Sequence, residues 1–288
     1  MIYAICNPTA GSGNGKKTGL LIQKLLEEKG VPCVMLFTQA PGHATQLARQ
    51  AVAEGAETVL SIGGDGTALE VARGLAGGKT ALGVIPAGTG NDFVKTIGVP
   101  REPKQALSYI LSHPALPTDA GEINGRMFLN EIGTGFDVSV LDYAEKAKKY
   151  VKGLLPYLYG VVKTLFRFRA IQLTYSVDGG EEKTEQVFVV AAANGGIIGG
   201  GIPIAPEAKA EDGLLDFVVV ENIPKSRLPL RLAGLLRGKI LSFPETRFVR
   251  ASRVTFSAPH MRVNIDGEIV PEKRAEARIL PGALMIHR

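Results

Sequence analysis

Up to residue 88 the chain alternates short apolar runs with amphipathic stretches, and a glycine-rich or polar loop follows each apolar run. The apolar runs "IYAICNP" (2–8), "VPCVMLFT" (31–38), "TVLSIGG" (58–64) and "ALGVIPAG" (81–88) read as strands. Between them "GLLIQKLLEEKG" (19–30), "HATQLARQAVAEG" (43–55) and "ALEVARGLAGG" (68–78) have helical spacing and stop at glycine. Continuously apolar strands need cover on both faces, so the pattern predicts a parallel sheet flanked by helices. Such sheets bind ligands at the carboxyl ends of their strands. The loops "NPTAGSGNG", "GGDGT" and "PAGTGND", together with Thr38, fall at those ends.

From about residue 119 the texture changes. Strand-like runs become shorter and end in Gly or Asp-Gly, as in "AIQLTYSVDGG", "EQVFVVAAANGG" and "MRVNIDGE". These are hairpin and turn signals. They predict a mostly antiparallel second domain with helical insertions near 138–168 and 225–238. The expected boundaries are 1–118 for the α/β domain and 119–279 for the β-rich domain.

Composition sets wide limits. The 288 residues are 45% hydrophobic and 21% charged, with a net charge of +5. That balance suits a globular chain with acidic partners and selects none of them. Cys6 and Cys33 lie in strand-like runs and read as buried, reduced thiols. The beginning, "MIYAICNPTAG", lacks a basic leader, and no run of about 18 apolar residues occurs, so a cytoplasmic chain without a membrane span is expected.

Each loop has its own chemistry. "AGSGNGKKT" (10–18) falls short of a P-loop, because Ala10 opens it and Lys17 stands where Ser or Thr must follow the Gly-Lys. Asn7, Gly11 and Gly13 remain as donors to phosphate, or the stretch is a flexible turn between strand and helix. In "GGDGT", Gly63, Gly64 and Gly66 let backbone approach a nucleotide closely. Asp65 would repel bare phosphate. It fits either as a Mg2+ carboxylate or as a cap on the next helix. "PAGTGND" (86–92) is a second glycine turn with a carboxylate, and adds the Thr89 hydroxyl and the Asn91 amide. Glu268 follows an Asp-Gly turn in "NIDGEIV" and reads as a general base or as a solvated hairpin residue; Asp266 reads as its orienting partner.

In order, "NPTAGSGNG", "SIGGDGTALEV", "IPAGTGNDF", "IAPEAKAEDGLLD" and "VNIDGE" resemble the diacylglycerol kinase-like lipid kinases in their compact bacterial form. The resemblance implies an ATP- and Mg2+-dependent kinase with its active site in the cleft between an N-terminal α/β domain and a C-terminal β-rich one. Asn7, Pro8, Thr9, Ala10, Gly11, Thr38, Gly63, Gly64, Asp65, Gly66, Thr67, Ala68, Leu69, Gly88, Thr89 and Asn91 match its ATP-binding positions. Glu268 matches its general base. Asp65, Asp92 and Asp119 match its carboxylate network. Asp212 matches a second, structural Mg2+ site, completed by the carbonyls of Lys209 and Leu214. The segment 280–288 is expected to pack back on the first domain. Ala68 and Glu207 depart mildly from the family pattern and touch no proposed catalytic group.

The implied acceptor is a lipid hydroxyl at an anionic membrane surface, diacylglycerol by default. Segments 145–169 and 225–253 carry seven and eight Lys/Arg against one Glu each, a mixture that suits interfacial helices. Either these segments dock peripherally on the inner face of the membrane or they are solvated faces over a core. Nucleic acid is not an expected partner, and a homodimer is allowed by the resemblance. Two other readings compete. NAD kinases share "GGDGT", and "LNE" at 129–131 fits them superficially. A catalytically silent nucleotide-binding regulator would keep the fold without turnover.

Overall fold

The computed structural model describes residues 1–147, 150 and 155–288. These divide into two compact units. One comprises Met1–Ala120 with Pro281–Arg288, the other Gly121–Leu280.

In the first unit the strands are β1 (Ile2–Cys6), β2 (Cys33–Phe37), β3 (Thr58–Gly63) and β4 (Ala81–Pro86). All pair in parallel, in the order β4-β3-β1-β2. The helices are α1 (Ala10–Glu28), α2 (His43–Ala53), α3 (Asp65–Leu75), α4 (Asp92–Thr96) and α5 (Pro103–Ser112). The parallel sheet of the sequence reading is present. β3 and β4 are buried almost throughout, as continuously apolar strands must be.

The sequence reading starts the first helix at residue 19, whereas α1 begins at Ala10. Three left-handed residues, Gly11, Ser12 and Gly13, break it near its start. The turns beyond carry Gly15 and Gly19 because the sheet comes too close for side chains. A Cβ on Gly15 would collide with the Asn7 carbonyl, and one on Gly19 would lie 2.7 Å from the Cys6 Sγ. These glycines weaken the helical signal while packing requires them.

Helix α2 follows Gly42, which has φ 82° and no capping side chain. Glu70 of α3 supplies the cap instead. Its carboxylate accepts from the Gly42 and Ala44 N–H groups at 2.9 and 3.1 Å. That satisfies two donors at a helix start and fixes α2 against α3.

The chain continues through β5 (Ala115–Ile123) and β6 (Arg126–Phe128) to β7 (Glu131–Gly135). Helices α6 (Phe136–Ala147) and α7 (Leu155–Arg167) follow, then β8 (Ile171–Val177), β9 (Lys183–Ala193), the short β10 (Ile197–Ile198) and β11 (Ile202–Pro203), and β12 (Leu215–Glu221). After α8 (Leu228–Leu235) come β13 (Thr246–Ala251), β14 (Arg253–Ser257), β15 (Arg262–Ile265), β16 (Glu268–Pro271) and β17 (Ala275–His287). The second unit pairs antiparallel along β16-β15-β7-β9-β8-β14-β17, with β12 on β9 and β13 on β12.

β12 alternates between two cores. Leu215, Phe217 and Val219 enter one with Phe128, Val190 and Phe256. Val218 and Val220 enter the other with Phe188, Ile223 and Phe243. Each such buried side chain contributes about 1.5–3 kcal/mol. Phe136, Phe168 and Phe188 fasten the helical side of the second core, with ring centroids 4.7–5.8 Å apart. The final strand changes unit along its length. Its first residues pair with β14, while Met285 and Ile286 pair in parallel with β4. No helix among the described residues is long and apolar enough to cross a membrane.

Candidate functional site

The carboxyl ends of β1, β3 and β4 carry three loops that hold one another. Asn7, just past β1, donates from Nδ2 to the Thr67 hydroxyl at 3.2 Å. Its Oδ1 accepts from the Thr9 N–H and hydroxyl at 3.1 and 2.9 Å. Asn7 therefore clamps the first loop, Pro8 and Ala10 included, to the start of α3. Thr38 follows β2 and donates its N–H to the Cys6 carbonyl at 2.9 Å.

The loops after β3 and β4 meet backbone to backbone. A Cβ on Gly64 would lie 3.3 Å from the Gly88 Cα, and one on Gly88 would collide with Gly64. The Gly63 carbonyl accepts from Ala87 and Gly88 at 2.7 and 3.1 Å. A Cβ on Gly11 would strike the Ala87 carbonyl, so the first loop joins the same surface. Thr67, Ala68 and Leu69 are buried in the first turns of α3, while Gly66 and Thr89 are exposed. Asn91 has φ 50° and closes its own turn, accepting from Gly88 N–H at 3.0 Å and donating to Gly88 O at 2.9 Å. The sequence reading gave Asn91 to a ligand; the structure gives its amide to the loop.

Asp65 is the first residue of α3, after the extended Gly64. Its Oδ1 accepts from the Phe93 N–H at 2.9 Å rather than capping its own helix. It thus ties the β3 loop to the β4 loop. Asp92 is buried and pairs through Oδ1 with the Lys95 ammonium at 2.7 Å. A Cβ on Gly90 would stand 3.1 Å from Asp65 Oδ2 and 3.5 Å from Asp92 Oδ2. Two carboxylates of neighbouring strand ends therefore converge beside Gly90. Burial raises the Asp65 carboxyl above its ordinary value, the Phe93 N–H opposes this, and Asp92 adds to the rise. Lys95 was missed by the sequence reading. Its signal was the three-residue spacing from Asp92 on a short helix. Asp119 is buried and accepts from the Gly282 N–H at 2.7 Å, so it anchors the returning strand.

In the second unit Glu268 is exposed at the start of β16. The turn before it has φ 47° at Asp266 and 92° at Gly267, both left-handed, as a two-residue hairpin requires. Asp266 was expected to orient Glu268 or metal-bound water. Its carboxylate instead accepts from three successive N–H groups, of Leu129, Asn130 and Glu131, at 2.6, 2.9 and 2.9 Å.

The loop with Lys209, Asp212 and Leu214 precedes β12. Asp212 is exposed and accepts from the Leu214 N–H at 3.1 Å. Asp216 nearby is 1% exposed; its Oδ1 meets Arg250 Nε at 3.2 Å, and its Oδ2 has no partner among the described residues. Burial raises the Asp216 carboxyl, Arg250 opposes this, and Asp212 and Glu207 add to the rise. Hard oxygen donors with an orphaned buried carboxylate oxygen fit a Mg2+-type cation. No group of three or more His, Cys, Asp or Glu suited to direct metal ligation occurs among the described residues.

The basic segment 145–169 is partly outside the described residues, including Lys148 and Lys149. On α7 the exposed Leu155, Tyr159 and Val162 recur at helical spacing, and on α8 Leu230 is exposed.

Comparison with known proteins bears on this arrangement. The family model "Diacylglycerol kinase catalytic domain" matches residues 1–123, and "YegS C-terminal NAD kinase beta sandwich-like domain" matches 130–288. A Pseudomonas aeruginosa protein called a probable lipid kinase YegS-like is 34% identical over 90% of this chain and 86% of its own. Diacylglycerol kinase of Mycobacterium tuberculosis is 30% identical over 100% and 94%, and that of Bacillus subtilis 31% over 92% and 88%. Among solved structures, a Bacillus anthracis diacylglycerol kinase has a TM-score of 0.81 at 26% identity, covering 99% of this chain and 96% of that one. An Archaeoglobus fulgidus NAD kinase has a TM-score of 0.52 at 14% identity, a likeness of fold alone, covering 100% of this chain and 94% of that one. Both domain models in succession, and relatives matched nearly end to end, place the chain in the bacterial diacylglycerol kinase and YegS-like lipid kinase family.

Proposed function

We propose that the chain transfers the γ-phosphate of ATP to the hydroxyl of a membrane lipid, first among them diacylglycerol, giving phosphatidic acid and ADP. The observation that carries this reading is the convergence of Asp65 and Asp92 beside Gly90, at loops whose backbones meet at Gly64 and Gly88. Backbone there can approach a polyphosphate closely, and the start of α3 favours negative charge. The carboxylates suit Mg2+, which when bound would neutralise phosphate charge. Asp65, Asp92 and Asp119 are the residues proposed to organise it. Asp212, with the carbonyls of Lys209 and Leu214, would hold a second, structural Mg2+.

Glu268 is the proposed general base. Its carboxylate accepts the proton of the lipid hydroxyl as the new O–P bond forms and the bond from the γ-phosphorus to the bridging oxygen breaks, releasing ADP. The apolar stripe of α7, fringed by Lys163, Arg167 and Arg169, supports docking on an anionic bilayer. Transfer should then be faster on anionic than on neutral vesicles, and equal rates would remove the docking claim.

The direct test is Glu268→Gln. The variant should bind ATP as the wild type does and lose transfer by at least about a hundredfold. Near-normal transfer would overturn the assignment. For the structural cation, Mg2+ should raise the melting temperature of the wild-type chain and leave that of Asp212→Ala unmoved; equal shifts would contradict it.

A further inference from the structure

Behind the hairpin that carries Glu268 lies a polar cluster that no part of the proposed reaction uses. Asn264, on β15, is 5% exposed. Its Oδ1 accepts from the Gly267 N–H at 2.8 Å, one residue before Glu268. Its Nδ2 donates to Glu131 Oε1 at 2.8 Å and to Asp137 Oδ2 at 3.3 Å. Glu131 is 2% exposed and opens β7; Asp137 lies in the first turn of α6. Thus one amide joins the turn to two carboxyl groups on two other elements.

The cluster is built tightly. β7 and β15 pair with Gly133 opposite Asn264. A Cβ at Gly133 would lie 2.8 Å from Asp137 Oδ2 and 3.0 Å from Glu131 Oε2. Glycine there leaves room for both carboxyl groups. The turn is held a second time by Asp266, whose N–H donates to the Glu131 carbonyl at 3.0 Å. Two acids in so little space, most of it buried, cannot both ionise cheaply. Burial, then Asp137 and Asp266, hold Glu131 well above the carboxylate range, and burial lifts Asp137 to about 6. A charged or proton-sharing acceptor makes the Asn264 bond stronger than an ordinary amide contact.

We propose that Asn264 is a positioning residue: held by Glu131 and Asp137, it fixes the Gly267 N–H and so aims Glu268. The inference rests on the reading of Glu268 as general base. Asn264 touches no reacting atom. It acts through the turn, whose left-handed residues have alternatives unless something outside the hairpin selects one.

The test is a reversal of the bond. Asn264→Asp keeps an acceptor for Gly267 but loses the donor to Glu131. Combined with Glu131→Gln, the donor and acceptor exchange places and the bond is restored. Asn264→Asp alone should lower kcat by about a hundredfold, the scale of a slight misplacement, with the KM for ATP unchanged. Asn264→Asp/Glu131→Gln should recover most of that loss. A double variant no better than the single one, or a single variant within about threefold of wild type, would overturn the proposal. Amide exchange at Gly267 gives an independent readout. It should quicken in Asn264→Ala, which removes the acceptor; unchanged exchange there would overturn the proposal as well. If the wild-type chain phosphorylates no lipid, the functional reading fails on its own, while exchange at Gly267 still decides whether Asn264 holds the turn.

Discussion

At the scale of single residues, the placement of carboxylates governs both chemistry and stability. Asp65 answers the puzzle of a negative charge in a phosphate-type glycine loop. Its carboxylate bridges to Phe93 and faces Asp92, so the charge is part of a built cluster. Glu131 and Asp137 make a different use of burial, and their raised pKa has a definite sign. A carboxyl whose pKa rises on folding stabilises the fold while protonated. That contribution is full below the ordinary range of about 4, and fades as pH climbs through the folded value, about 6 for Asp137. Glu131→Gln stays neutral and keeps an acceptor for Asn264. Its melting temperature relative to wild type should therefore rise from about pH 5 to about pH 8. Parallel curves for the two proteins would contradict the coupling. The thiols take no part: Cys6 and Cys33 are free, and burial pushes each up to about 11.

At the scale of elements, glycine marks where two backbones meet. Gly88→Ala would drive a methyl group into the Gly64 backbone, which cannot swing aside as the end of a flexible side chain could. The expected cost is about 1–3 kcal/mol of stability, together with a loss of ATP affinity measurable by calorimetry. Unchanged affinity would show that the two loops do not form one nucleotide surface. The same geometry explains what was legible in sequence. Continuous apolar strands announced the parallel sheet, and the Gly-Asp loops announced their own position at its strand ends. Asp-Gly turns announced the hairpins of the second unit. The long α1 was only half visible, because Gly15 and Gly19 satisfy a packing demand that local propensity opposes. Asn264, Glu131 and Asp137 were invisible as a group. Asn264 lies more than a hundred residues beyond Glu131 and Asp137, and only the pairing of β7 with β15 brings it to them. Asp266 was seen, but its hold on three backbone N–H groups was not, since those donors lie more than a hundred residues earlier.

At the scale of the whole molecule, the family relationship joins two differently built units in one chain. The first supplies glycine loops at the ends of a parallel sheet. The second supplies an antiparallel scaffold, the Glu268 hairpin and the exposed stripe of α7. The proposed nucleotide loops lie in the first unit and the proposed base in the second, so the proposed reaction is tested on the intact chain. The most direct test is transfer of labelled γ-phosphate from ATP, with and without Mg2+. The acceptors are diacylglycerol and other lipid alcohols in anionic vesicles, with NAD in parallel. The account predicts Mg2+-dependent label in a lipid and none in NAD. Label in NAD alone would contradict it, as would ATP binding with no transfer to any acceptor.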